Sequence, residues 1–216
     1  MSHLAVADEN PTDAPHTATA IVSFERFLSA LTAAGIPLPP ARHIANSDAI
    51  GRHIATNQTR VRTGIALYGY SCAASQAALG LRHALRLTTT VLETRALPAG
   101  ASVGYGLTTT TSRETRVALL PVGYADGYSR MLSNKGSVSV HGTPCPILGR
   151  VSMDLLTIDI SDVPGVVNVG DQAVLFGPGP SDPCLLELAR LANTIPYEIM
   201  TNVSQRVSRI YSTTKE

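Results

Sequence analysis

The pattern of apolar residues changes between Tyr70 and Leu85, and this change constrains the fold more than any other feature of the chain. Before it, strand-like segments alternate with helical ones. Thr17 to Ala34 carries an apolar stripe at helical spacing, and Gly35 ends it. After the change, short apolar segments are separated by Gly, Pro and Asn turns. The two patterns predict two domains.

We place the boundary after residue 82. Residues 1–82 have the strand–helix order of a parallel α/β sheet or barrel, whereas residues 83–216 predict a mostly antiparallel β-domain with one helix near Leu185 to Asn193. Ser47 is predicted to cap a short helix that begins at Asp48. Strand ends are predicted in the first domain at "SHLAVAD", "RHIANS" and "TRVRTGIALYGY". Strands are predicted in the second domain in "LRLTTTVLETRAL", "TRVALLPVGY", "GSVSVHG" and "LLTIDIS".

The composition argues against several classes of partner. The chain has 216 residues and a formal net charge of +1, which offers no concentrated basic face to a nucleic acid. The longest apolar runs, such as Val117 to Val122, are too short to span a bilayer, and the N-terminus has no export signal. The three cysteines and six histidines show no metal-ligand spacing. We therefore expect reduced thiols, a cytoplasmic protein and no metal.

Two short segments place chemically useful groups at predicted strand ends. In "VGYG", Val103 to Gly106, one tyrosine stands between two glycines, and a turn tyrosine beside a bulge is the simplest explanation. In Arg62-Thr63-Gly64-Ile65, the glycine would let an anion approach backbone N–H groups, and the helix start at Ser47 would add its dipole. A buried strand with a solvent-facing arginine explains the second segment equally well.

Six segments, in this order, resemble the successive blocks of the alanine racemase family, whose members use pyridoxal phosphate. They extend over nearly the whole chain and read "HIANSDA", "VRTGIALYG", "VGYG", "PVGYADGYSR", "GRVSMD" and "IPYEIMTNVSQRVSRIY". The resemblance implies an eight-stranded α/β barrel followed by a β-domain, working as a head-to-tail dimer whose active sites each join one barrel to the partner's β-domain. Residues 1–82 would then be the last strands and helices of the barrel, and residues 83–216 the family's C-terminal β-domain.

The resemblance implies a role for each of four residues around the reacting carbon. Tyr105 is the base that moves the substrate's α-proton on one face, and racemisation needs a second group on the other face. His3 contacts this phenol. Arg62 faces the pyridine nitrogen of the cofactor, where a permanently charged guanidinium leaves the ring unprotonated and makes it a weaker electron sink. His43 orients Arg62.

Further residues take binding roles by the same resemblance. The phosphate is held by hydroxyl and backbone groups of Ser47, Gly64, Ile65 and Tyr197. The substrate carboxylate meets a backbone N–H from the partner subunit, that of Met153. The entrance is narrowed by two tyrosines, Tyr124 and Tyr197. The approach corridor is lined by charged residues, which ordinary surface solvation explains as well: Asp8, Arg130 and Arg150.

The lysine that holds the cofactor in this family has no counterpart here. The only lysines are Lys135, in a turn of the β-domain, and Lys215, in the tail. The arginine that clamps the substrate carboxylate and barrel strands one to five are also missing. We therefore expect an incomplete barrel with exposed edges and no covalent attachment of pyridoxal phosphate through this chain.

The function implied by the resemblance is the interconversion of L-alanine and D-alanine, which supplies D-alanine for peptidoglycan, with this truncated chain inactive when isolated. Two other hypotheses remain open. One is a pseudoenzyme whose β-domain is a non-catalytic binding or dimerisation module, and the other is a racemase of serine or another small amino acid. The expected partners are a small amino acid and either a second copy of the chain or a complementary barrel half.

Overall fold

A computed structural model describes residues 1–8 and 15–212, and for residues 73 and 74 it describes the backbone alone. Contacts divide the chain into two compact units, Met1–Ala84 and Leu85–Glu216. No helix in the described ranges has both the length and the apolar character that a membrane crossing requires.

The first unit contains α1 (Pro15–Ala33), α2 (Ser47–Gly51) and α3 (Ala73–Ala78). The predicted stripe of α1 is confirmed: Phe24 is buried, and Ile21 and Leu28 pack against the same cluster. Gly35, at φ 69°, follows the helix as predicted. The remaining buried members of this core come from the chain start and from the region of α2: Leu4, Ala7, Ile44, Ala45 and Ala49.

The segments predicted as parallel strand ends form no regular ladder in the described part of residues 1–84, and the first of them bends and turns from Ala5 onward. Three backbone hydrogen bonds join them: Ser2 N to His43 O (3.2 Å), Arg60 N to Arg42 O (3.1 Å) and Arg62 N to Ala45 O (3.0 Å). From the second of these bonds to the third, the donor moves forward by two residues and the acceptor by three. The even spacing of a parallel ladder is therefore lost. The predicted strand is wrong from Ile65 onward, since Ile65–Tyr68 form a 3₁₀ turn.

The N-terminus of α2 is capped by Asn46. Its Oδ1 accepts the N–H of Ala49 at 3.1 Å, and its Nδ2 donates to the carbonyl of Leu4 at 3.1 Å. The prediction that Ser47 is the cap is therefore wrong. Ser47 is the first helical residue, and its hydroxyl is used elsewhere. An asparagine immediately before a serine offers two good caps, and the contact with Leu4, far away in sequence, favours the first.

In the described part of the second unit, residues 85–212, short strands pair in the antiparallel sense. They are β1 (Leu87–Thr90), β2 (Glu93–Leu97), β3 (Ser102–Val103), β4 (Thr109–Thr110), β5 (Thr115–Leu120), β6 (Ser137–Val140), β7 (Thr143–Leu148), β8 (Leu156–Asp159) and β9 (Gln172–Phe176). A seven-stranded sheet has the order β1-β9-β6-β7-β8-β5-β2, and β3 pairs with β4. The predicted mostly antiparallel β-domain is confirmed.

The two edge strands of the large sheet, β1 and β2, are neighbours in sequence. Only Val91 and Leu92 separate them. The N–H of Val91 donates to Asp171 beside β9, and that of Leu92 donates to Leu119 in β5. Because two residues cannot bridge a flat sheet of this width, the sheet curls until its edges meet. Its interior is filled by apolar side chains that include Val138, Val140, Ile147, Ile158 and Leu175.

Two helices follow the last strand. α4 (Leu185–Leu191) lies within the predicted range and buries Leu185 and Leu188. α5 (Pro196–Asn202) was not predicted as a helix. Proline at the first position of a helix suits it, because that N–H has no partner within the helix and the ring sets a helical φ.

Candidate functional site

Tyr105 lies on the connection between β3 and β4, and the residue is 75% exposed. It begins a 3₁₀ turn, Tyr105–Leu107. Gly104 (φ 72°) and Gly106 (φ 74°) flank it in the left-handed region, which glycine adopts without steric cost. The register of β3 with β4 is regular, so the glycines of "VGYG" serve the turn rather than a bulge.

The loop after β7 packs against this turn. A Cβ on Gly106 would lie 3.2 Å from Cζ of Arg150, so the guanidinium rests against the backbone next to Tyr105. On the other side, a Cβ on Gly149 (φ 77°) would lie 2.6 Å from the carbonyl oxygen of Val103. The space left by the absent side chains of these glycines is therefore occupied by the loop after β7. The structure brings together Tyr105 and Arg150.

A second pair of loops brings Tyr124 and Met153 together. The N–H of Tyr124 donates to Ser152 O and that of Ala125 donates to Met153 O, both at 3.0 Å. Gly123 permits this approach, because a Cβ there would lie 2.2 Å from Ser152 O. The side chains of Tyr124 and Met153 are 43% and 53% exposed, so both remain accessible beside the contact.

Charged groups hold this second pair of loops. The carboxylate of Asp126 accepts the N–H of Gly123 at 2.9 Å and lies 3.3 Å from Nε of Arg206. Arg206 also donates to Asp154 at 2.7 Å. The hydrogen bond to Asp154 and the charge of Asp126 raise the pKa of Arg206. Neither Asp126 nor Arg206 was predicted from the sequence. An acidic residue at the third position of a helical turn, as in a capping box, is the local signal that could have found Asp126.

Two other predicted residues of the second unit lie elsewhere. Tyr197 is in the first turn of α5 and is 44% exposed, and Arg130 is exposed in the 3₁₀ turn Arg130–Leu132. A cleft of about 170 Å³ lies beside these segments, and neither residue lines it. Its lining residues are Gly127, Ser129, Met131, Ala192, Asn193, Thr194, Glu198, Ile199 and Asn202.

In the first unit, the buried hydroxyl of Ser47 receives two backbone N–H groups. Gly64 N donates to it at 3.0 Å and Ala66 N at 3.4 Å. Because the hydroxyl accepts both bonds, its own proton remains to donate. Ile65, buried between these donors, opens a 3₁₀ turn whose first N–H groups have no acceptor within the turn. The structure therefore places Ser47, Gly64 and Ile65 next to one another.

The next residue, Asp48, fixes the far side of the same turn. Its buried carboxylate accepts the Ser71 hydroxyl at 2.6 Å and the Cys72 N–H at 2.8 Å. Burial by itself raises the pKa of Asp48, but these hydrogen bonds outweigh burial and the pKa lies below its usual value. The start of α2 thus holds the chain before and after Ile65–Tyr68. The sequence analysis did not single out Asp48 for this role.

Arg62 lies beside both histidines that were assigned to the cofactor site. Its Nη2 donates to Ser2 O at 2.8 Å and lies 3.0 Å from Nδ1 of His3. Burial, and next the charge of Arg62, lower the pKa of His43. In the described part of the chain, Arg62 Nε and His43 Nδ1 are buried without a hydrogen-bond partner. His3, predicted to contact a phenol, contacts Arg62 here.

The remaining charged residues are dispersed. Asp8 is exposed, and its carbonyl oxygen accepts a hydrogen bond from Arg52 at 2.8 Å. Lys135 is exposed in the turn before β6, and Lys215 lies outside the described residues. The sequence has no lysine in residues 1–84, so this unit has no side-chain amine for a cofactor. No group of three His, Cys, Asp or Glu suited to a metal occurs in the ranges that the structure describes.

Known proteins match both parts of the chain. The family model "Alanine racemase, N-terminal domain" matches residues 1–72, and "Alanine racemase, C-terminal domain" matches residues 84–211. The alanine racemase of Symbiobacterium thermophilum is 43% identical over 214 residues, which are 98% of this chain and 55% of that relative. The crystal structure of alanine racemase from D-cycloserine producing Streptomyces lavendulae has a TM-score of 0.91 and 37% identity, covering 99% of this chain and 56% of that one.

A further solved structure is the alanine racemase of Bartonella henselae with covalently bound pyridoxal phosphate. Its TM-score is 0.83 at 33% identity, over 98% of this chain and 55% of that one. The chain therefore spans about half the length of the curated relatives that it matches. The C-terminal family model alone covers more than half of the chain, and the fold combines the end of an α/β barrel with an antiparallel β-domain. The chain belongs to the alanine racemase family.

Proposed function

We propose that this chain provides the C-terminal part of a pyridoxal-phosphate-dependent racemase that interconverts L-alanine and D-alanine. The observation that carries the proposal is the phenol of Tyr105, 75% exposed on a turn that Arg150 and Gly149 hold from one side. The proposed base must reach a substrate that the second unit does not enclose. An exposed phenol on a well-supported turn is suited to that task. Racemisation becomes possible when a barrel portion supplies the cofactor lysine.

The residues of the first unit fit pyridoxal phosphate. The Ser47 hydroxyl keeps a proton to donate, and the N–H of Ile65, at the start of a 3₁₀ turn, has no acceptor within that turn, so both suit a phosphate. The buried nitrogens of Arg62 and His43 that lack partners are polar atoms that a bound heterocycle would satisfy. When bound, the cofactor withdraws electrons from the substrate's α-carbon and so acidifies its proton.

The side chains of this protein then divide the work. Tyr105 takes up or returns the α-proton at its phenol oxygen on one face. Arg62 donates toward the ring nitrogen and cannot give up a proton there, because a guanidinium stays charged. His43, whose pKa burial and Arg62 lower, stays neutral beside that guanidinium. The N–H of Met153 binds the substrate carboxylate, and Tyr124 narrows the entrance.

The remaining roles are part of the same proposal. Tyr197 adds its hydroxyl to the phosphate contacts, and His3 supports the Tyr105 phenol. The corridor toward the site is lined by Asp8, Arg130 and Arg150. Tyr105 serves the cofactor pocket of a second copy of the chain or of a complementary barrel half, with residues 1–82 acting as barrel and 83–216 as β-domain. The three cysteines are unpaired, which agrees with a cytoplasmic protein.

The test is complementation with the missing barrel portion. The chain is co-expressed with the N-terminal segment of the Symbiobacterium thermophilum relative that it does not match, and D-alanine formation is measured with D-amino acid oxidase. We expect activity from the complex and none from either part alone. Tyr105→Phe should lower kcat at least about 100-fold, because it removes the general base. Tyr211→Phe, at an exposed tyrosine with no assigned role, is the matched control.

Three outcomes contradict the proposal in different ways. A complex that forms and binds pyridoxal phosphate but makes no D-alanine favours the non-catalytic binding module. The missing lysine also supports that hypothesis. A complex that racemises as fast with Tyr105→Phe as with Tyr211→Phe shows that the phenol is not the base. Faster turnover of serine than of alanine assigns the other small-amino-acid substrate.

A further inference from the structure

Asn134, in the turn before β6, joins three segments of the second unit. Its Oδ1 accepts the N–H of Gly149 at 2.6 Å and also the hydroxyl of Thr109. Its Nδ2 donates to the hydroxyl of Thr108 at 3.0 Å. One amide therefore contacts the segment after β7 and the segment that enters β4.

Both contacted segments carry residues of the candidate site. Gly149 precedes Arg150, whose guanidinium rests against the turn of Tyr105. Thr108 is the C-cap of that same turn, Tyr105–Leu107. The amide of Asn134 thus links the loop that packs against the Tyr105 turn to the two threonines that follow this turn.

The backbone at this position also requires its residue type. Asn134 has φ 57°, in the left-handed region that asparagine tolerates better than other residues with a side chain. Glycine would keep this conformation without the amide. Alanine would lose the amide and carry the strain. The position therefore combines a backbone requirement with a side-chain contact.

The contacts are mutually supporting. The N–H of Gly149 also lies 3.3 Å from Oγ1 of Thr109, so donor, hydroxyl and amide form one small network. Hydrogen bonds in such a network polarise one another, and the loss of a shared acceptor weakens all of them. Removing Asn134 leaves the N–H of Gly149 with only the longer bond to Thr109.

We propose that Asn134 is a positioning residue that fixes Tyr105 for proton transfer by acting through Thr108 and Gly149. This inference rests on the function proposed above for Tyr105. Displacement of a reacting group by about 1 Å costs about 100-fold in rate, which sets the scale of the expected effect.

Three variants separate positioning from general stability. Asn134→Ala removes every contact of the amide. Asn134→Asp keeps an oxygen acceptor for Gly149 N–H and the Thr109 hydroxyl and loses only the donor to Thr108. Asn193→Ala is the matched control, because Asn193 (φ 54°) has nearly the same backbone conformation in the turn after α4 and is outside this network.

The first measurement needs neither cofactor nor activity. The full chain is made with 3-fluorotyrosine at Tyr105, and the ¹⁹F NMR resonance is recorded for each variant. We expect Asn134→Ala to shift and broaden the resonance, whereas Asn134→Asp and Asn193→Ala keep it close to that of the parent chain. Urea midpoints of the same samples give the stability of each variant.

The second measurement uses the complex with the barrel segment. Asn134→Ala should lower kcat about 100-fold and change KM little, because the phenol acts on the moving proton. Asn134→Asp should recover activity to within about fivefold, the value of one ordinary hydrogen bond. Asn193→Ala should match the parent kcat.

Three results overturn the inference or separate it from its premise. A ¹⁹F resonance and a kcat for Asn134→Ala equal to those of Asn193→Ala refute positioning while leaving the role of Tyr105 intact. Losses of kcat that follow the urea midpoint in every variant assign Asn134 a structural role only. A shifted resonance together with full activity of Tyr105→Phe overturns the proposed function, and the catalytic meaning of the Asn134 contact with it.

Discussion

Replacing Gly123 with alanine tests how closely the loops of Tyr124 and Met153 approach. The new Cβ would lie 2.2 Å from Ser152 O and 2.4 Å from Met153 O, below the 3.0 Å that real Cβ atoms essentially always exceed. Both oxygens belong to the backbone and cannot rotate away. Gly123 has φ −158°, an extended conformation that alanine adopts freely. The steric contact is therefore the added cost in the folded state.

The size of the destabilisation follows from how far the loops must separate and which hydrogen bonds they lose. They have to separate by about 0.8 Å, the difference between 3.0 and 2.2 Å, and this stretches the two 3.0 Å hydrogen bonds of Tyr124 N and Ala125 N. Losing both costs about 2 kcal/mol, and overpacking adds about 1–3 kcal/mol. We expect the free energy of unfolding of the second unit to fall by about 3–5 kcal/mol.

Gly165→Ala is the control, because it adds backbone strain without a steric contact, whereas Gly123→Ala adds a steric contact without backbone strain. Gly165 has φ 77° and nothing within 4 Å of its Cβ position, so alanine there is strained but meets no atom. Left-handed strain of about 1–2 kcal/mol, less the entropy that alanine removes from the unfolded chain, leaves about 1 kcal/mol. Urea unfolding followed by far-UV circular dichroism compares the variants. If Gly123→Ala is as stable as Gly165→Ala, the close approach of the loops is wrong.

Two further predictions concern ionisable groups. Because hydrogen bonds from Ser71 and Cys72 lower the folded pKa of Asp48, its carboxylate stabilises the first unit above its unfolded pKa of about 3.9, and this contribution is lost as pH falls through the folded pKa. Asp48→Asn should cost about 1 kcal/mol near neutral pH, and this difference should shrink as pH falls below the unfolded pKa and through the lower folded pKa. Urea midpoints measure the difference, and a pH-independent value contradicts the prediction. Burial raises the pKa of Cys145 to about 11, so iodoacetamide at about pH 8 should alkylate exposed Cys184 first and Cys145 only after unfolding, as mass spectrometry would record. Equal labelling rates in the native protein contradict the burial of Cys145.

Local patterns predicted much of the fold. The stripe of α1 and its end at Gly35 are read from spacing along a single helix. The strands of the second unit follow from short apolar runs between turn residues. α5 was missed, because seven residues after Pro196 give too little periodicity to separate a helix from a turn.

The first unit shows where local patterns fail. Arg60 to Arg62 is extended as predicted, yet its hydrogen bonds to the segment around Ile44 skip a residue and no ladder forms. Register depends on the neighbouring segment, which no sequence window contains. The change from extended chain to a 3₁₀ turn at Ile65 likewise follows from the contacts that Ser47 makes with Gly64 and Ala66. The assigned roles of these residues stay predictions.

The amino-acid sequence by itself determined the two structural patterns, the family and the choice of Tyr105 as the candidate base. Periodicity and motif order depend only on the linear order of the residues, so they can be read without a structure. Only the tertiary structure decided that Asn134 supports the Tyr105 turn and that Arg206 joins Asp126 to Asp154. These contacts join residues that are far apart in the sequence, and their geometry depends on how the loops between strands pack.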